Sequence, residues 1–211
     1  MKFNPTQTEM QEYKTIATDN IIFYNEIDST NEEAKRLIRT DKLNEDAIVA
    51  EFQTAGKGTQ GKSWASTSGK NILMTVVLKT KQEISEVQKI TLIAGMSVYQ
   101  VLGDYVDKDN MKIKWPNDIH INGKKICGIL TESIRYNDEL YLIIGIGVNI
   151  NTKEFEEISG NVPTSLLIET GEIFSRKKIV LEIVDRIKEN YNKYIVENGE
   201  FIEEYQNFLS K

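Results

Sequence analysis

The chain has 211 residues, 40% of them hydrophobic, and a formal net charge of −6. That is enough for one packed domain, and it argues against a non-specific nucleic-acid binder, whose surface has to be basic. One cysteine, Cys127, excludes an internal disulfide and fits a reducing cytoplasm; with one histidine, His120, it leaves too few soft ligands for structural zinc and little basis for a Ser-His-Asp hydrolase.

No apolar h-region opens the chain, and no apolar run is long enough to cross a bilayer. In chain order, residues 1–20 are polar with little periodicity and read as an extension or a short helix. IIFYNEI (21–27) is an apolar strand that runs into Asp28-Ser29-Thr30-Asn31, and NEEAKRLIRT after it is helical, with several N-cap candidates at its start. AIVAEF (47–52) is a strand entering a glycine-rich loop, and NILMTVVL (71–78) is another strand. Residues 85–106 carry Val87, Ile90, Ile93, Ala94, Val98, Val101 and Leu102 at a helical period. MKI is a short strand, and IHI, Asn122-Gly123 and KKICGILTESI together spell a hairpin, because Asn-Gly tolerates the positive φ of a type I′ turn. LYLIIGIGVNI (140–150) is a buried strand, 176–197 an amphipathic helix and IEEYQNFL a last short one. Strands outnumber crossover helices. The expectation is an α+β domain over residues 21–211, a central mixed and mostly antiparallel sheet backed by helices, helical at its C-terminal end from about 176.

GKGTQGKS (56–63) spells both G-x-G-x-x-G and G-x-x-x-x-G-K-[ST]. A dinucleotide fingerprint needs a helix opening at its third glycine, and a P-loop needs its Lys and Ser on the first turn of a helix. After Gly61 the chain instead reads KSWASTSGKN, with no apolar period, and then a strand, so neither pattern holds. A loop this long, with lysines and an embedded Trp64, has the composition of a functional lid as much as of an inert connector.

Other polar clusters stand at strand ends. In KWPND (114–118), Pro116 favours an extended Trp115 and displays Asn117 and Asp118 at a bend. Lys125 lies in an apolar strand, where an unpaired ammonium is costly, so it either reaches the surface or is held for chemistry. Gly128 lets a ligand lie against that strand, and Asn149 closes a strand after two more glycines.

In order, DSTN (28–31), EFQTAGKGTQGKSW (51–64), KWPND (114–118), GKKICGILTE (123–132) and GIGVNIN (145–151) resemble biotin protein ligases, also called biotin–[acetyl-CoA-carboxylase] ligases, from about residue 20 to about 195. The resemblance implies a central mixed sheet with helices on one side. It also implies an enzyme that joins biotin to ATP, giving biotinyl-5′-AMP and pyrophosphate, and passes the biotinyl group to a lysine of a carboxylase carrier domain. By motif match, Lys125 meets the biotin carboxylate and the α-phosphate and, with Asp118 and Lys57, is assigned to catalysis. Ser29, Thr30, Asn31 and Gln53 line the biotin pocket; Gly56, Lys57, Gly58 and Thr59 form the loop over it; Gly128 and Leu130 shape the strand beneath. Trp64 stacks near the adenine, with Lys62, Lys114, Asn117, Asp118 and Asn149 around the nucleotide. Mg2+ is expected on phosphates and water, with no dedicated protein ligand.

Three departures qualify the resemblance. The family loop is commonly GRGRxGRxW, and here Lys57, Thr59 and Lys62 replace its arginines, so a looser grip on biotinyl-5′-AMP and some stray lysine labelling are expected. The first 20 residues are too few for the winged helix-turn-helix of some members, so no DNA partner is expected. Many members continue into a small C-terminal β-barrel that helps with ATP and acceptor, whereas this chain ends at Lys211 after helices. Self-association through a sheet edge near residues 139–148 is also expected. Two alternatives stay open: a lipoate or octanoate transferase of related fold, and a non-catalytic biotin-binding module.

Overall fold

Alternation along the strands sets which face of the sheet carries the core. The computed structural model describes residues 5–17, 20–64, 67–81, 87–155 and 162–209. Its seven strands are β1 (Ile21–Ile27), β2 (Ala47–Gln53), β3 (Ile72–Thr80), β4 (Met111–Lys114), β5 (Asp118–Ile121), β6 (Lys124–Tyr136) and β7 (Glu139–Val148), in the spatial order β1-β2-β3-β7-β6-β5-β4. Among these strands, β1–β2 is parallel and the other five pairings are antiparallel. On β3, Ile72, Met74 and Val76 enter the larger core; on β7, Leu142, Ile144, Ile146 and Val148 do. The intervening Leu73, Thr75, Val77, Ile143, Gly145 and Gly147 therefore face the other way.

The larger core is covered by α3 (Val87–Leu102) and α5 (Arg176–Tyr191), through Ile90, Ile93, Ala94, Ile179, Val180, Ile183 and Ile187. Helix α2 (Thr30–Arg39) packs Ala34 and Ile38 on the opposite face, against Ile48, Val77 and Ile143. Helices on one side alone is thus corrected: α2 closes one end of the second face and leaves the rest of it to the site. α3 ends at Leu102 rather than 106, where Gly103 and the residues after it form tighter turns, and residues 85–86 lie outside the described residues. α5 gives way to a π-type turn at Asn192–Val196, and the last short helix, α6, spans Ile202–Gln206; α4, between β7 and α5, is Leu166–Thr170.

The N-terminal helix, α1 (Pro5–Lys14), joins the same core through Tyr13 and, just past it, Ile16, both fully buried. Arg176, also fully buried, binds Glu9 through Nε (2.6 Å) and Nη2 (2.8 Å) and Glu51 through Nη1 (3.1 Å), and lies 3.9 Å from the Tyr13 ring centre. Pairing and hydrogen bonding are what make a buried guanidinium tolerable.

The expected sheet edge at 139–148 is overturned. β7 is bonded to β3 along one side and to β6 along the other, so it presents no edge; the outer strands are β1 and β4. Its continuous apolar run is what a strand buried on both faces requires. The Asn122-Gly123 turn forms as expected, with φ of 50° and 75°. Among the described residues, no helix is long and apolar enough to cross a membrane.

Candidate active site

The second face of β3, β7 and β6, beside α2, holds a cleft open to solvent. Its polar end is built by the turn into α2. Ser29 is the N-cap residue, and its backbone N–H donates to Asp28 Oδ1 at 2.7 Å. Thr30 donates to Gln53 Oε1 through its backbone N–H (2.7 Å) and its hydroxyl (3.0 Å). Asn31 Oδ1 accepts from the Thr75 hydroxyl at 2.6 Å, while its Nδ2 donates to Glu132 Oε2 (2.9 Å) and the Leu130 carbonyl (3.3 Å). These side chains are thus held in fixed rotamers by partners on three strands.

Glycines make the floor. A Cβ on Gly145 would lie 2.4 Å from Asn31 Oδ1, and one on Gly147 or Gly128 would lie 2.4 or 2.7 Å from the Trp64 ring. The indole thus rests directly on the backbone of β6 and β7, with its buried Nε1 lacking a partner among the described residues. Lys125 Nζ is 5.5 Å from the centre of that ring and 2.7 Å from Asp118 Oδ1.

A bulge aims Lys125 into the cleft. Asp118 pairs with Gly128 and Ile119 with Cys127, but His120 pairs with Lys125, so Ile126 is an extra residue on β6. Ile126, Cys127 and Ile129 all enter the core, and the strict alternation that would bury Lys125 with Cys127 is broken. The Lys125 backbone is clamped by residues 162–164: its N–H donates to Val162 O (2.8 Å) and its carbonyl accepts from Thr164 N–H (2.9 Å). Asn149 Nδ2 in turn holds Thr164 O at 3.0 Å. Burial pushes the Cys127 thiol well above its ordinary range, which keeps it neutral beneath the site. His120, opposite Lys125, is held below its ordinary value chiefly by burial, with the charges of Lys114 and Lys125 adding to it.

The glycine-rich loop is an ordered hairpin. Gly58 N–H donates to Lys62 O (2.7 Å), Trp64 N–H to Gly56 O (2.9 Å), and Thr59–Gly61 is a single 3₁₀ turn. No α-helix opens at Gly61 or Lys62 among the described residues, so neither nucleotide pattern is realised. Lys57 Nζ lies 2.6 Å from Glu32 Oε1. Hydrogen bonds from Lys57 and then Lys35 hold the Glu32 carboxyl below its ordinary range; Lys35, which burial alone would lower, is held above its own by Glu132 and Glu32.

The cleft brings together Ser29, Thr30, Asn31, Gln53, Lys57, Gly58, Thr59, Trp64, Asn117, Lys125, Gly128 and Leu130. Gly56 and Asn149 are buried behind it, Asp118 reaches it through Lys125, and Lys62 and Lys114 are exposed outside its lining. Asn117 is committed to the backbone, its Nδ2 donating to Ile129 O at 2.9 Å. Sequence reasoning missed Leu73, Met74, Ile129 and Ile146 in the lining and Thr75, Glu132, Lys35 and Glu32 behind it. Gly145 and Gly147 were signalled only as sites of close approach. Among the described residues, no cluster of three or more His, Cys, Asp or Glu side chains is placed to hold a metal.

Residues 23–149 match the family model described as Biotin/lipoate A/B protein ligase family. The chain belongs to that family. Among curated members, it is 32% identical over 179 residues to the bifunctional ligase/repressor BirA of Bacillus subtilis (strain 168), covering 83% of this chain and 55% of that protein. It is 35% identical over 126 residues to the biotin–[acetyl-CoA-carboxylase] ligase of Paracoccus denitrificans, covering 58% of this chain and 51% of that protein. The chain therefore spans about half the length of the curated relatives it matches. Among solved structures, it superimposes on the biotin protein ligase from Aquifex aeolicus in complex with biotin and ATP with a TM-score of 0.74 and 31% identity, covering 91% of this chain and 79% of that one. The biotin protein ligase from Leishmania major in complex with biotinyl-5-AMP gives 0.75 at 27% identity, covering 92% and 83%. The seven-stranded mixed sheet and its helices are the biotin protein ligase fold.

Proposed function

We propose that this chain joins biotin to ATP, forming biotinyl-5′-AMP and pyrophosphate, and then transfers the biotinyl group to a lysine of a carboxylase carrier domain. The observation that carries the proposal is the placement of Lys125, fixed by Asp118 over a glycine floor, beside a polar pocket end and an indole. A carboxylate attacking the α-phosphorus meets a polyanion, and a fixed cation lowers that repulsion without reorganising in the transition state. In the first step a biotin carboxylate oxygen bonds to the α-phosphorus and pyrophosphate leaves. Lys125 bridges the carboxylate and the α-phosphate. In the second step the acceptor amine attacks the acyl carbon, AMP leaves, and the amine loses a proton as the amide forms.

Ser29, Thr30, Asn31 and Gln53 supply paired polar groups for the ureido ring, and Leu73 and Leu130 supply apolar cover for the bicycle and chain. Trp64 serves as the stacking face between biotin and adenine. MgATP is the substrate species, with its cation carried on phosphates and water. Relatives named for biotin and acetyl-CoA carboxylase support the acceptor class.

The test is incubation with biotin, MgATP and a biotin carrier domain, followed by mass spectrometry of the carrier lysine. A mass increase at that lysine supports the proposal. Binding of lipoate in place of biotin, or biotin binding without pyrophosphate release, overturns it.

A further inference from the structure

We infer that Glu32 is a positioning residue that latches the glycine-rich loop shut, and that the Lys57 ammonium serves this latch more than it serves the reacting groups. The inference rests on the biotin-ligase reading of the cleft. Glu32 sits in the first turn of α2, outside the cleft lining, and its Oε1 takes both Lys57 Nζ (2.6 Å) and Lys35 Nζ (2.9 Å). Lys35 also binds Glu132 Oε1 at 2.7 Å, and Glu132 Oε2 accepts from Asn31 at 2.9 Å. A continuous line of charge-assisted bonds therefore runs from the lid, Lys57, through Glu32, Lys35 and Glu132 to the pocket floor at Asn31.

The loop is one unit because Gly58 to Lys62 and Gly56 to Trp64 are bonded across it. Anchoring Lys57 consequently anchors Trp64 on Gly128 and Gly147. The lysine is half exposed, so the pair is a modest clasp, strong enough to bias a lid and weak enough to release it. A lid tied to the floor side chain gives a physical route by which filling the pocket and closing the loop favour one another. It also explains why loop closure can persist where Thr59 offers no charge.

The experiment compares the chain with Glu32→Gln, Lys57→Gln, the double variant and Lys57→Arg. Biotin release is followed by stopped-flow tryptophan fluorescence, and amide hydrogen exchange is read over residues 56–64. Each single Gln variant is expected to release biotin about fivefold faster and to exchange loop amides faster at an unchanged melting temperature. The double variant is expected to be no faster than either single, and Lys57→Arg to keep slow release. Multiplying effects in the double variant, or single variants with unchanged release and exchange, overturn the latch. If the unaltered chain binds no biotin, the ligase reading fails, while the exchange arm still reads the latch.

Discussion

Lys125 Nζ lies 2.7 Å from Asp118 Oδ1, and the extra residue Ile126 is what brings these two side chains to one face of the sheet. The ammonium is held in one place by that carboxylate, as in-line attack on a phosphate requires. Lys125→Ala should cut biotin-dependent pyrophosphate release more than ~100-fold, the scale of removing one preorganised electrostatic contact. Asp118→Asn keeps the lysine and loses its charged holder, so a loss of about tenfold is expected, an ordinary charge-assisted bond's worth. A continuous pyrophosphate assay separates the two, and a fully active Lys125→Ala variant sinks the catalytic assignment.

Gly147 is the tightest point beneath Trp64, with a Cβ there 2.4 Å from Cε2 of the ring and 2.7 Å from Nε1. Gly147→Ala should therefore eject the indole, red-shift tryptophan emission and weaken biotin binding at least tenfold, since rigid backbone beneath the ring cannot give way. Gly95, inside α3, is the contrast: its nearest neighbour to a Cβ is Ile129 Cδ1 at 3.9 Å. Gly95→Ala should stabilise the fold by about 0.5–1 kcal/mol through helix entropy alone. Calorimetry and emission spectra on both variants check the pair.

The seven strands and the principal helices were legible because their signals are local: period two, period 3.6 and Asn-Gly at a hairpin. The five motif segments named most of the cleft lining for the same reason. What was hidden depends on distant partners. Asn31 meets Glu132 across 101 residues and Thr75 across 44, and no local pattern marks either pairing. The Ile126 bulge is equally silent, since KKICGILTE reads as plain alternation interrupted by a lysine. The edge assigned to 139–148 failed because an apolar run says that a strand is buried without saying which strands flank it.

Thr75, fully buried, gives its hydroxyl proton to Asn31 Oδ1 and lies 2.8 Å from Thr30 Oγ1. Thr75→Val keeps the shape and strands the amide oxygen, which costs about 1–3 kcal/mol for an unsatisfied buried acceptor. Urea unfolding should show that loss at unchanged slope. Biotin binding should weaken too, because Asn31 is then free to turn. An unaltered unfolding midpoint rules the network out as the support of the pocket.

Asp28 starts the turn that presents Ser29, Thr30 and Asn31, and both its oxygens are bonded to Arg36 (2.7 and 2.9 Å). That hydrogen bonding to Arg36 holds its carboxyl at about 2, against an ordinary 3.8. A depressed carboxyl contributes stability that is complete above the ordinary value and fades as the pH falls through the depressed one. The contribution is accordingly expected to be present above about pH 4 and to disappear towards pH 2, while Asp28→Asn removes it at every pH. Both carboxylate and guanidinium are nearly half exposed, so the effect on melting temperature should be small and salt-sensitive. Melting curves of the two proteins from pH 6 to 2 should converge at the acid end, and parallel curves would contradict the assignment.

Thr59 lines the cleft from the loop's 3₁₀ turn and brings no charge to a position where the family's loop commonly has arginine. An acyl-adenylate is an anion, and a hydrogen bond to a charged partner is worth about 1.5–3 kcal/mol against an unbonded one. Thr59→Arg should thus slow the departure of biotinyl-5′-AMP at least about tenfold, measured by chasing preformed intermediate with unlabelled biotin. Labelling of lysines on a bystander protein, which needs free intermediate in solution, should fall in step. If the variant releases the adenylate no more slowly, the missing arginine is not what sets retention, and the Lys57–Glu32 clasp becomes the feature that does.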